Sequence, residues 1–193
     1  MGWILSVTYG AFEMPSNSPS LIVWDSCCVL GYFNRETDKL AGLQYEINEC
    51  SCQRGILGIA TATLGEIVYL ADNSPAYPVL EKFLKLPFIQ QLNNNQEVGL
   101  LSSRLGHRFD LRDKPDSLSE AKLFGCPVDQ KRLKSKDAEI LATSIVYKAS
   151  RLTTYDPFIR FIGQKYIRNE YGVVVDTPSS ALLPFNLETP QII

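Results

Sequence analysis

The sequence predicts an α/β protein, a three-layer α/β/α sandwich in which helices cover both faces of a parallel sheet of about four to five strands. Short apolar runs suit strands that are buried on both faces, and they alternate with longer segments whose apolar residues recur at helical spacing. This β-α-β-α order needs crossover connections, which are typical of parallel sheets. A length of 193 residues is enough for one domain with its own core.

The first half of the chain shows this alternation most clearly. Residues 21–24 and 56–60 are the first two predicted strands, and a further helix follows the second of them. Residues 37–54 between them predict an amphipathic helix, which Gly55 ends. The apolar stripe of that helix consists of Leu40, Leu43, Ile47 and Cys50.

The middle of the chain is less regular. Residues 79–92 predict a helix interrupted at Pro87, and residues 98–101 suit either a strand or the start of a helix. Residues 113–136 are polar and include Pro115 and Pro127, so they predict an irregular insertion with one or two helical turns.

Regular patterns return at Asp137. The remaining elements are predicted as a helix, a strand, a helix with proline in its first turn and a last buried strand, over residues 137–149, 151–154, 157–169 and 173–175. The predicted domain therefore spans residues 21–178, with tails at 1–20 and 179–193.

Composition excludes several classes of protein. The net charge of −2 is not that of a strongly basic nucleic-acid-binding chain. The five cysteines are odd in number and contain no CxxC pair, so we expect reduced, partly buried thiols in a cytoplasmic protein. No apolar run approaches the length of about 18 residues that a membrane span needs, so no membrane association is expected.

Four acidic residues stand where predicted strands give way to predicted helices: Asp25, Glu66, Asp137 and Asp156. The carboxyl ends of parallel strands share one edge of a sheet, so these side chains are expected in one crevice. Carboxylates held together repel each other and raise each other's pKa. Such a cluster persists most easily when it binds a hard divalent cation, which points to metal-dependent chemistry on phosphate.

Each acid also has a simpler explanation as part of a helix start. Thr63-x-x-Glu66 matches a capping box, Asp137 could occupy a first helical turn, and Asp156 precedes Pro157 as an N-cap would. Capping needs only a short polar group, whereas all four positions carry a carboxylate. The four together therefore favour a metal site over four separate caps.

The segments around these acids resemble the motifs of PIN-domain nucleases, and most closely the toxin-like, VapC-type ribonucleases. The resemblance runs from about residue 21 to residue 178 and rests on LIVWDSCCVL at 21–30, TATLGEIV at 61–68, KDAEILAT at 136–143 and LTTYD at 152–156. It implies a PIN-like fold and a Mg²⁺ or Mn²⁺ site that hydrolyses RNA phosphodiester bonds. The four acids would be catalytic and hold the metal, while Ser26 and Thr154 would support the site through their hydroxyl groups.

The resemblance also implies partners. A toxin of this type would have an antitoxin protein and would form a homodimer. A basic run just before Asp137 is a solvated loop or a contact for the RNA backbone, and it consists of Lys131, Arg132, Lys134 and Lys136. The alternative function is a catalytically inactive PIN-like module that binds RNA or a protein.

Overall fold

The computed structural model describes residues 19–71 and 77–178, which are built around a five-stranded parallel sheet. Its strands are β1 (Ser20–Trp24), β2 (Gly55–Ala60), β3 (Ile89–Leu92), β4 (Arg151–Thr153) and β5 (Val174–Asp176). The strand order is β3-β2-β1-β4-β5, and every neighbouring pair is parallel. The order reverses between β1 and β4, which is where an open α/β sheet forms its crevice.

Helices connect the strands and cover the sheet. They are α1 (Ser26–Phe33), α2 (Thr37–Glu49), α3 (Thr61–Ala71), α4 (Tyr77–Leu84), α5 (Gln96–Arg108), α6 (Pro115–Leu123), α7 (Ser135–Val146), α8 (Pro157–Ile162) and α9 (Arg168–Tyr171). One π-helical turn extends α2 over Cys50–Arg54, and another joins α8 to α9 over Gly163–Ile167. Within the two described ranges, no helix has the length and apolar character needed to cross a membrane.

Two hydrophobic cores lie on opposite faces of the sheet. Val23 of β1 belongs to the core formed with α5, α7 and α8, whereas the next residue, Trp24, belongs to the core formed with α1, α2 and α4. This alternation follows from the two-residue period of a strand. The three-layer α/β/α class predicted from the sequence is therefore confirmed.

The prediction for residues 79–92 was wrong in its second half. Helix α4 ends at Leu84, and Ile89–Leu92 form the edge strand β3, which pairs with β2. Pro87 separates the two elements because it cannot continue a helix. The strand was missed because only one side of β3 is paired and its central residues Gln90 and Gln91 are exposed, so it lacks an apolar run.

The structure also decides the two uncertain segments in the middle of the chain. Residues 98–101 lie within α5, whose N-cap Asn95 accepts a hydrogen bond from the Val98 amide. The insertion at 113–136 is more regular than predicted, because it contains the nine-residue helix α6. It is tied to the end of α5 by an antiparallel bridge between Asp110 and Arg132.

Two predicted helix starts are corrected. Helix α7 begins at Ser135, so Asp137 lies inside the first turn and does not open the helix. Thr63 is the third residue of α3, is fully buried, and donates to the carbonyl oxygen of Trp24. A capping box needs a residue outside the helix at that position. Glu66 is therefore a mid-helix residue and not a cap.

Candidate active site

Asp25 is the most buried of the four predicted acids, with an exposed fraction of 4%. It follows β1 directly and is the N-cap of α1, where its Oδ1 accepts from the Ser26 amide at 2.6 Å and from the Ser26 hydroxyl at 3.2 Å. Its Oδ2 accepts from the Thr154 hydroxyl at 2.7 Å and from the Cys27 thiol at 3.2 Å. Burial raises the pKa of Asp25, and these hydrogen bonds act against that rise.

Thr154 links the ends of two strands. It follows β4, is fully buried, and its hydroxyl donates to Asp25 while accepting from the Asp156 amide at 3.0 Å. The parallel pairing of β1 with β4 brings the two strand ends together. The structure thus places both Ser26 and Thr154 against Asp25, and their support of a metal site remains a prediction.

Asp137 lies in the first turn of α7 and differs from Asp25 in its surroundings. Its Oδ2 is buried and has no hydrogen-bond partner among the described residues. Burial, followed by the charges of Asp25 and Asp156, raises the pKa of Asp137 from 3.8 to about 7. Lys134 acts in the opposite direction, and Glu66 adds a smaller upward effect. Asp137 therefore lies within electrostatic reach of Asp25, Asp156 and Glu66, and these four residues are called the acidic cluster.

Asp156 has a structural role that the sequence also suggested. It is the N-cap of α8, and its Oδ1 accepts from the amides of Phe158 and Ile159 at 2.8 and 2.9 Å. Both cap bonds use the same oxygen, so Oδ2 lies outside the cap. Because its charge raises the pKa of Asp137, Asp156 combines helix capping with a place in the acidic cluster.

Glu66 lies at the margin of the cluster. It is partly exposed and forms an ion pair with Lys136, with 3.7 Å between Oε1 and Nζ. Its effect on the Asp137 pKa is the weakest of the three acidic neighbours. Its position is therefore the least specific evidence for a metal ligand.

The acids fit a divalent cation only in part. Asp137 offers a buried, unpartnered carboxylate oxygen, and Asp25 offers a carboxylate held in place by four donors. Within residues 19–71 and 77–178, however, no three side chains of the ligand-forming types come together closely enough to hold a metal. Mg²⁺ usually keeps several waters and is bound through one or two carboxylates, so an open site of this kind is compatible with it.

The basic run lies between the insertion and α7. Lys131, Arg132, Lys134 and Lys136 are all exposed. The segment is fixed in place because the Leu111 amide donates to the Lys131 carbonyl at 2.8 Å and the Leu133 amide donates to the Phe109 carbonyl at 3.2 Å. Two of its side chains, Lys134 and Lys136, act electrostatically on the acidic cluster.

Cys27 is a site residue that the sequence prediction missed. Its thiol donates to Asp25 and its sulfur accepts from the Tyr155 amide at 3.2 Å. The sequence treats all five cysteines alike, and in the structure none of the five forms a disulfide bond. The available signal was position, since Cys27 comes two residues after Asp25 at the start of a predicted helix.

The chain is similar to a chain in the crystal structure of VapBC2 from Rickettsia felis, in which VapBC2 is bound to a DNA fragment from the VapBC2 promoter. The TM-score is 0.51, the sequence identity is 13%, and the match covers 82% of this chain and 99% of the other. The fold agrees with a PIN-like architecture. No protein-family model matches the sequence, and no curated protein matches it either. The likeness to VapBC2 therefore concerns the fold alone.

Proposed function

We propose that this protein is a metal-dependent endoribonuclease that hydrolyses RNA phosphodiester bonds with Mg²⁺ or Mn²⁺. The observation that carries the proposal is Asp137, whose buried oxygen lacks a hydrogen-bond partner and whose pKa is raised to about 7 by burial first and by the neighbouring carboxylates second. A perturbed acid in a crevice at the carboxyl edge of a parallel sheet is a typical functional site.

The four acids have different tasks in this proposal. Asp25 and Asp137 would hold the cation, because one is fixed by hydrogen bonds and the other has an oxygen available. Asp156 would add negative charge from the cap of α8, and Glu66 would act from the margin of the site. A bound Mg²⁺ or Mn²⁺ would supply a water activated near neutral pH and positive charge beside the phosphate.

The exposed basic run supports RNA as the substrate. Two of its cations, Lys134 and Lys136, act electrostatically on the acidic cluster, and Lys or Arg side chains in such a place are suited to an RNA backbone. The setting we propose is a toxin–antitoxin pair, in which this chain is a homodimeric toxin bound by an antitoxin protein. Two findings support it: the sequence motifs resemble VapC-type toxins, and the fold is shared with a chain of VapBC2.

Cleavage and metal binding should be measured together. We expect the purified protein to cut RNA with Mn²⁺ and to stop in EDTA, and we expect Asp137→Asn to abolish both cleavage and Mn²⁺ binding by calorimetry. Asp116→Asn is a matched control, because Asp116 is an exposed acid in the first turn of α6. Cleavage that continues unchanged in EDTA would overturn the proposal.

The second candidate function is a catalytically inactive PIN-like module that binds RNA or a protein. It is favoured by one observation, namely that the described part of the chain contains no ready-made group of three metal ligands. The calorimetric experiment separates the two candidates. Absence of Mn²⁺ binding by the native protein, together with retained RNA binding, would support the inactive module.

A further inference from the structure

Glu46 is a buried carboxylate on the far face of the sheet from the acidic cluster. It lies in α2 and is only 2% exposed. In the sequence it falls within the apolar stripe of that helix, three residues after Leu43 and one before Ile47. A charged residue in an apolar stripe is uncommon, since burying a carboxylate is costly unless it is well paired.

The hydrogen bonds of Glu46 join two strands. Its Oε2 accepts from the Trp24 indole Nε1 at 2.7 Å, and both of its oxygens accept from the Thr153 hydroxyl at 3.0 Å. Arg151 adds a weaker contact at 3.4 Å between Nη1 and Oε1. Trp24 is the last residue of β1 and Thr153 is the last residue of β4.

These two partners directly precede the residues of the candidate active site. Trp24 and Thr153 are a register pair of β1 and β4. The next residues are Asp25 and Thr154, which are joined by the hydrogen bond between the Thr154 hydroxyl and Asp25 Oδ2. Successive side chains along a strand point to opposite faces of the sheet. Hydrogen bonds that hold Trp24 and Thr153 on one face therefore also fix the backbone that carries Asp25 and Thr154 on the other.

Stability alone does not account for a carboxylate here. Replacing a buried charged group by a well-packed apolar residue is often neutral or stabilising. A leucine at this position would continue the apolar stripe, but it would hold neither the indole N–H nor the hydroxyl. What the carboxylate adds is a fixed relative position for the ends of β1 and β4.

We propose that Glu46 is a positioning residue, which holds the ends of β1 and β4 so that Asp25 and Thr154 keep the geometry needed to bind a divalent cation. The cation-binding part of this inference rests on the proposed function. The positioning part rests on hydrogen bonds that exist without any metal.

The first experiment measures Mn²⁺ binding by calorimetry. We expect Glu46→Ala to weaken binding about tenfold or more, as is typical when a residue that supports a metal ligand is lost. Glu46→Gln should stay within about threefold of native, because its amide can still accept from Trp24 and donate to the Thr153 hydroxyl. Ile47→Ala is the control, since it opens the same core one residue away and leaves the hydrogen bonds of Glu46 with Trp24 and Thr153 in place.

The second experiment needs no metal and reports on position directly. The Asp25 amide donates to the Thr153 carbonyl at 3.1 Å. In EDTA, we expect this amide to exchange with solvent faster in Glu46→Ala than in Ile47→Ala, after both are corrected for global stability. If Glu46→Ala does not fold, Thr153→Val takes its place in both experiments, because it removes the hydroxyl that Glu46 binds and keeps the side-chain shape.

The outcomes separate the two proposals. If native protein binds Mn²⁺ but the Glu46 or Thr153 variant matches Ile47→Ala in both affinity and exchange, the positioning role is overturned and the proposed function stands. If native protein does not bind Mn²⁺, the proposed function fails, and amide exchange alone decides whether Glu46 positions Asp25.

Discussion

Replacing Asp137 with asparagine should stabilise the metal-free protein. The native fold raises the Asp137 pKa from 3.8 to about 7. Each unit corresponds to about 1.4 kcal/mol, so the charged form is disfavoured by about 4 kcal/mol in the fold. Asparagine still leaves a buried polar group, which has a desolvation cost of its own. We therefore expect a net gain of about 2–3 kcal/mol in the free energy of unfolding at pH 8.

The gain should depend on pH in a defined direction. Because the folded pKa is above the unfolded one, the native fold binds the Asp137 proton more tightly than the unfolded chain does. The stability from this proton is fully present below about pH 3.8 and is lost as pH rises through about 7. The advantage of Asp137→Asn should thus be small near pH 4 and largest near pH 8.

Urea denaturation in EDTA at several pH values between 4 and 8 would measure this advantage. Asp116→Asn serves as the matched control, because it makes the same charge change in the first turn of another helix at an exposed position. Excess Mn²⁺ should then stabilise native protein, by about 2.7 kcal/mol at a hundredfold excess over its dissociation constant, and should not stabilise Asp137→Asn. A loss of stability at pH 8, or a gain that does not change with pH, would refute the reasoning.

Three further predictions address separate parts of the structure. Thr154→Ala should lower the free energy of unfolding by about 1.5–3 kcal/mol in chemical denaturation, because the Asp25 carboxylate loses the hydrogen bond that the Thr154 hydroxyl donates. Thr154→Ser keeps a hydroxyl and should lower this free energy much less. Gly163→Ala should cost about 1–3 kcal/mol, because a Cβ would overlap the Val175 side chain. Gly106→Ala, in the last turn of α5, where nothing lies within 4 Å of the added Cβ, should instead raise the free energy of unfolding by roughly 0.5–1 kcal/mol. Equal effects at the two glycines would contradict the packing argument. Replacing all four cations of the basic run by serine should weaken RNA binding and flatten its dependence on salt concentration, so an unchanged salt slope in filter-binding assays would reduce the run to a solvated loop. These cations are Lys131, Arg132, Lys134 and Lys136.

The sequence predicted those parts of the fold in which local pattern and tertiary structure agree. Strands β1 and β2 are continuous apolar runs because they lie inside the sheet and a hydrophobic core covers each of its faces. Strand β3 was not predicted, because its two central glutamines are exposed and give it no apolar pattern. Its strand structure depends on its pairing with β2, which the local sequence does not reveal. Helix α6 was underestimated because two prolines near its ends resemble loop signals, although Pro115 is its first residue.

The candidate site was predictable in position but not in the differences between its members. Asp25 and Asp156 share one edge because they follow the parallel strands β1 and β4, whereas Asp137 follows no strand and Glu66 lies in the middle of α3. The partner of each acid depends on tertiary contacts, such as the hydrogen bond from Thr154 to Asp25 and the ion pair between Lys136 and Glu66. The sequence offered a capping box as the simpler explanation of Glu66, but the structure excludes capping, and Glu66 is marginal to the site because it forms an ion pair with Lys136.

The contrast between Asp137 and other acids of this protein argues for a binding site. Several other acids of this protein pair with cations, as Asp110 does with Arg112 and Glu170 with Arg108. Lys134 is close enough to Asp137 to lower the Asp137 pKa. Burial and the charges of Asp25 and Asp156 together raise this pKa by more than Lys134 lowers it. A fold under selection for stability alone would be expected to pair or remove such a carboxylate. A fold that keeps it unpartnered beside the well-held Asp25 retains a local destabilisation, which a bound divalent cation would relieve.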